Sequence, residues 1–146
     1  MTVDHTVHHV PQSQRMSCWA ACTAMVIGWS RSQSYPEDAV LAEFPEFIDG
    51  IDEEQGRELA RRAGLTYIGE ATYTPEGWEQ ILLRGPAIVD VPEHIIVVAG
   101  IAGDGTYEGS QVHVHDPARG ERWVAFDNFS LAVGGGSDFD LGILQL

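Results

Sequence analysis

The chain has 146 residues, 44% of them apolar and 21% charged. A chain of that length buries roughly 70% of its unfolded surface in one compact domain and needs neither disulfide nor metal to do so. Its eight basic residues, all Arg, stand against 22 acidic ones for a net charge of −14, which argues against nucleic acid and anionic membrane surfaces as partners and suits neutral or cationic substrates.

Residues 1–15 carry three His where a signal peptide would have its apolar run. The expectation is a soluble protein, cytoplasmic or exported by a signal-independent route, with residues 1–10, including His5, His8 and His9, as a flexible arm. Ser17 is placed to cap a helix from Cys18 to about Trp29, with Cys18, Cys22, Met25, Val26 and Trp29 on one buried face. A short helix from Pro36 to about Phe44 follows, with proline in its tolerated first turn. Asp52 caps a third helix that Gly64 stops, and a fourth begins at Thr74-Pro75 and ends before Gly85-Pro86.

Beyond Pro86 the pattern changes to short β-branched or alternating runs: Ala87 to Val91, Ile95 to Ile101, Gln111 to His115, Arg122 to Phe126 and Gly142 to Leu146. Turns such as Gly103-Asp104-Gly105 and Asp116-Pro117 separate them. Gly134-Gly135-Gly136-Ser137 reads as a surface loop and not a phosphate cradle, since no helix or Lys follows it. Helices first and an antiparallel sheet afterwards make an α+β fold. No repeat or linker divides the chain, so residues 1–146 read as a single domain.

Cys18 opens a helix, where unpaired backbone N–H groups and the helix dipole favour the thiolate that attacks carbonyls. A nucleophile of this kind needs a base and an orienter for that base. His94 heads the most apolar strand, and Asp116 ends the next one, on the face of Val112 and Val114. A carboxylate on a core face needs a partner, and an imidazole on the neighbouring strand supplies one. Each of the three also has a purely structural reading; together they favour chemistry. Six residues before Cys18, the Gln12 amide could join the Cys18 N–H as an oxyanion donor, with Gln14 as the alternative.

The run from Val10 through Gln12 and Cys18-Trp19 to Met25 resembles the active-site helix of bacterial papain-like cysteine proteases. It is most similar to the avirulence-type effector proteases of plant-associated bacteria, and more distantly to staphopains and bacteriocin-leader peptidases. Gly85-Pro86, His94 before an apolar strand, and His115-Asp116-Pro117 continue the resemblance in order along nearly the whole chain. It implies a papain-like fold, Cys18 as nucleophile, His94 as general base and acid, Asp116 as orienter, and Gln12 as oxyanion donor. It also implies a peptide or protein substrate, a thioester intermediate and no cofactor.

Other residues receive plainer readings. Cys22 is a buried packing thiol and Trp19 a core or cleft-wall residue. His113 and His115 share one strand face, but with no Cys or third His at a plausible spacing they are not read as a zinc site. Residues 37–58 hold nine acidic side chains against one Arg, either a solvated face or a negative rim selecting basic peptides. Two rival functions remain open at this level. One is a glutamine deamidase or transglutaminase using the same three groups; the other is a catalytically silent binding module.

Overall fold

The structure, a computed structural model, describes residues 1–68, 73–91, 94–133 and 143–146. Its elements run β1 (Thr2–Asp4), α1 (Cys18–Ser30), α2 (Glu37–Glu43), α3 (Glu53–Ala63), β2 (Thr66–Ile68), α4 (Pro75–Leu82), β3 (Ala87–Val91), β4 (His94–Gly103), β5 (Ser110–Asp116), β6 (Gly120–Ala125), α5 (Phe126–Ala132) and β7 (Ile143–Gln145), with a 3₁₀ turn over Pro45–Phe47. The described strands form one antiparallel sheet in the order β2-β7-β3-β4-β5-β6, with β1 also pairing β4. The α+β expectation therefore holds.

The helix ends follow from their local chemistry. Asp52 Oδ1 accepts from the Gln55 amide while the Gln55 side chain accepts from Asp52 N, a reciprocal cap that starts α3. Gly64 closes the helix at φ +76°, a left-handed conformation that a β-carbon would disfavour. The Thr74 hydroxyl accepts from Gly77 N ahead of α4.

α1 departs from the expected single buried face. Trp19 to Val26 and Gly28 are all buried, because α1 is the central helix and is covered on every side. Ser17 precedes it but makes no side-chain cap; its hydroxyl is used elsewhere, as described below.

Alternate residues of each central strand serve two different cores. Ile88, Ile95, Val97, Ala99 and Leu144 pack with residues of α1, α2 and α3 on one face. Val89, Ile96, Val98, Val112, Val114 and Ile143 pack with Trp78 and Leu82 of α4 and Phe126 and Phe129 of α5 on the other. Because both faces are covered, β4 reads as a continuous apolar run.

Three expectations are corrected. Residues 1–10 are not a flexible arm: β1 pairs with β4, Val7 and Val10 are buried, and His5 Nε2 lies 2.6 Å from Leu82 O. The strand expected to end at Phe126 ends at Ala125, and Phe126 begins α5, whose Phe126, Phe129 and Val133 recur at helical spacing. The helix-then-strand division is also incomplete, since the short strands β1 and β2 come from the first half of the chain. The glycine loop at 134–137 and the start of the last strand at Gly142 lie outside the described residues.

Candidate active site

Cys18 is the first residue of α1 and is partly exposed. The segment that delivers it is tied down from several directions. Glu37, buried at the start of α2, accepts from Ser13 N at 3.1 Å, from the Ser13 hydroxyl, and from the Ser17 hydroxyl at 2.9 Å. Ser17 Oγ also bonds the backbone of Gln14 at 3.1 Å, closing a small turn just before Cys18. The Gln12 amide donates to Gln14 O at 2.8 Å and Arg15 O at 3.1 Å. Gln12 N donates to Pro117 O at 2.9 Å, tying this segment to the turn that follows Asp116.

One helical turn on, Cys22 Sγ lies 3.3 Å from Ile95 O and donates to it. Ile95 adjoins His94, so this contact sets α1 against the head of β4. Burial, and behind it the charges of Cys18 and Asp116, push the Cys22 thiol well above its ordinary value, so it keeps the proton it donates. The packing role expected for Cys22 thus includes a hydrogen bond that sequence spacing does not reveal.

The structure brings Cys18, His94 and Asp116 together. His94 Nε2 lies 2.6 Å from Asp116 Oδ1, and the same oxygen accepts from Ala118 N at 2.8 Å. Nδ1 is left as the ring nitrogen available to Cys18. The hydrogen bond to Cys18 is the largest cause raising His94 to about 9; partial burial opposes it, and the bond to Asp116 adds to it. Asp116 sits below the usual carboxylate range: its burial pushes upward, but His94 and the Ala118 N–H outweigh it. At neutral pH the imidazole therefore carries its proton and the carboxylate does not.

Cys18 and His94 share the wall of a cleft of about 520 Å³ with Arg15, Met16, Trp19, Gly50, Ile51 and Asp90. Trp19 is both core and wall: only 1% exposed, it packs edge-on against Phe44 and Phe47. Gln14, the alternative oxyanion donor, has its side chain exposed. Part of the acidic segment is engaged within the molecule. Glu53 pairs with Arg57, Glu58 with Arg61 and Glu46 with Arg62, while Glu37 is internal.

A thiol at a helix start, an imidazole at the head of a strand beside it, and an antiparallel sheet behind both are the construction of a papain-like cysteine protease. The chain belongs to the Peptidase_C70 family, papain-like cysteine protease AvrRpt2, whose profile matches residues 2–133. Among solved structures it is similar to a double glycine motif protease from an AMS/PCAT transporter, determined in complex with the leader peptide. That likeness covers 97% of this chain and 91% of the other at 23% identity, with a TM-score of 0.67, and shows the fold. No curated protein matches the chain. No helix among the described residues is long and apolar enough to cross a membrane.

Proposed function

We propose that this cysteine protease hydrolyses peptide bonds through a thioester on Cys18, with His94 as base and acid and Asp116 as orienter, acting as a bacterial effector or toxin-type enzyme. The observation that carries the reading is the position of His94, bonded through Nε2 to a buried carboxylate and holding its proton against Cys18 at the wall of a cleft. The reacting form of the pair has the proton on His94 and the negative charge on sulfur. The sulfur attacks the scissile carbonyl carbon, forming the C–S bond while the carbonyl oxygen takes the negative charge. Collapse of that intermediate breaks the C–N bond as His94 gives its proton to the leaving amine. His94 then takes a proton from water, whose oxygen displaces Cys18 and frees the acid product. Asp116 holds the ring in place throughout and stabilises its cationic form.

The solved neighbour that holds a leader peptide supports a peptide as the substrate class. The net charge of −14 favours basic segments among them. The direct test is mass spectrometry of a peptide and lysate library treated with the wild type or with Cys18→Ala. New termini produced only by the wild type are the expected result. Glutamine-to-glutamate conversion or cross-links without new termini would replace hydrolysis by side-chain amide chemistry, and identical spectra would overturn both.

Gln12 and the Cys18 N–H are the proposed oxyanion donors. In the resting structure both amide hydrogens of Gln12 go to loop carbonyls, so one must turn to the oxyanion as the intermediate forms. Gln12→Ala is expected to lower kcat by about 10²–10³-fold. An unchanged kcat would confine Gln12 to bracing the loop.

The pH dependence has a defined sign. A group whose pKa is raised on folding contributes stability that is complete below its unfolded value of 6.5 and is lost as pH rises through about 9. The protonated imidazole is lost over the same interval, so kcat/KM should fall on an alkaline limb near pH 9. Asp116→Asn keeps an acceptor oxygen but removes the negative charge that raises His94, and should move that limb downward. A wild-type limb at the ordinary histidine value would contradict the assignment.

A further inference from the structure

A second cluster lies around the strand pair β5–β6. Residues of three strands converge there: Asp4 on β1 and His113 on β5 are both paired with Gly100 of β4, and His115 is paired with Glu121 of β6. A β-carbon at Gly100 would fall 2.5 Å from Asp4 Oδ1, so the glycine is what allows Asp4 to reach across β4. Asp4 Oδ1 lies 2.7 Å from His113 Nδ1, and Glu121 Oε1 lies 2.7 Å from His113 Nε2. Trp123 stacks on the His113 ring at 4.8 Å. His9 stacks on His115, with their Nδ1 atoms 3.0 Å apart.

Hydrogen-bond bookkeeping leaves this cluster short of a cation. His115 is 1% exposed, and its Nε2 has no hydrogen-bond partner although it lies 3.9 Å from Glu121 Oε1. If His9 supplied the hydrogen between the two Nδ1 atoms, His115 Nε2–H would be a buried donor without an acceptor, at a cost of about 1–3 kcal/mol. The reverse arrangement, in which His115 Nδ1–H donates to His9, leaves Nε2 as a bare lone pair aimed towards Glu121. With its Nδ1–H given to the Asp4 carboxylate, the His113 Nε2 is a second lone pair facing the same Glu121 oxygen. A proton could bridge one imidazole to Glu121. A metal ion satisfies both.

We propose that His113, His115 and Glu121 bind one divalent transition-metal ion of the zinc type, with Asp4 and His9 as outer partners of the two imidazoles. The three ligand atoms lie within 4.8 Å of one another. A tetrahedral ion with bonds of about 2.0–2.1 Å needs neighbouring ligands about 3.3 Å apart; the two imidazole–carboxylate separations, 2.7 and 3.9 Å, bracket that value, and small side-chain rotations bring in the remaining pair. Two His and one Glu leave a fourth position for water, and the Asp4–His113 contact is the carboxylate–imidazole arrangement that orients metal-bound histidines. Glu121 is half exposed, which gives the ion a route in. Bound there, the ion ties the N-terminal segment to β5 and β6, beside the backbone that carries Asp116.

The test is zinc titration by calorimetry on the full chain in the Cys18→Ala background, so that the thiol cannot supply the binding. One equivalent of zinc is expected, together with a zinc-dependent rise in thermal midpoint. Glu121→Gln changes an exposed side chain and leaves the fold intact. It should weaken zinc about tenfold or more, Asp4→Asn about 10–100-fold, and His115→Ala should remove binding. No zinc binding in the Cys18→Ala background, or binding indifferent to Glu121→Gln and His115→Ala, would overturn the site. Neither result depends on whether peptides are cleaved.

Discussion

Cys18→Ala and His94→Ala are each expected to lower kcat/KM for peptide hydrolysis by about 10⁴-fold or more, and the double variant by little beyond either one. The groups act as a unit: without the sulfur there is no acyl intermediate, and without the imidazole the proton has no carrier between thiol and leaving amine. The two changes differ in their effect on stability. Cys18 is partly exposed at the cleft wall, so removing its sulfur opens no core cavity and costs only its share of the His94 interaction, a smaller drop in thermal midpoint than His94→Ala. His94→Ala strands Asp116, 5% exposed, with the Ala118 amide as its remaining partner at that oxygen. A loss of about 1–3 kcal/mol follows from the unpaired carboxylate. Steady-state kinetics beside thermal melts separate the two effects, and activity within tenfold of wild type in either variant would remove that residue from the mechanism.

Glu37→Ala is expected to damage both fold and turnover from outside the cleft. Its carboxylate collects the Ser13 amide and the hydroxyls of Ser13 and Ser17, the residues that fold the chain back just ahead of Cys18. Removing it leaves the buried Ser17 hydroxyl and the more exposed Ser13 donors without their carboxylate and should destabilise the protein by about 1–3 kcal/mol. The turn it braces sets the position of Cys18 N–H and sulfur relative to His94. A displacement of about 1 Å there can cost about 10²-fold in kcat, with a smaller change in KM. Glu37→Gln keeps the shape and one carbonyl acceptor and should recover part of both losses. Glu37→Ala protein that melts lower but turns over normally would show that the turn holds its geometry without the carboxylate.

Much of this molecule was legible in short stretches of chain. The start of α1 at Cys18, the Asp52 cap, the Gly64 stop, the Thr74-Pro75 start of α4 and the span of β3 all depend on residues within a few positions of each other. So did the candidacy of Cys18, His94 and Asp116, each at the end of an element that its neighbours define. Other features had weaker local signals. β1 and β2 are three residues each and exist because distant partners present open edges to them. α5 did leave a trace, in the spacing of Phe126, Phe129 and Val133, but the alternating run before it drew the strand too far.

The side chains around both sites divide along the same line. Glu37 stands among acidic residues that composition assigns to the surface, and only the packing of α2 against the segment before α1 turns it inward to Ser13 and Ser17. Glu121 is invisible as a partner of His113 and His115 until the β5–β6 register sets it opposite His115, and Asp4 until Gly100 lets it cross β4. Which residues could do chemistry was decided by residue type and position along the chain, because helix starts and strand ends are local events. Whether His94 meets Asp116 at 2.6 Å, and which carboxylates turn inward, was decided by strand pairing and helix packing, because those distances depend on contacts between segments far apart in the chain.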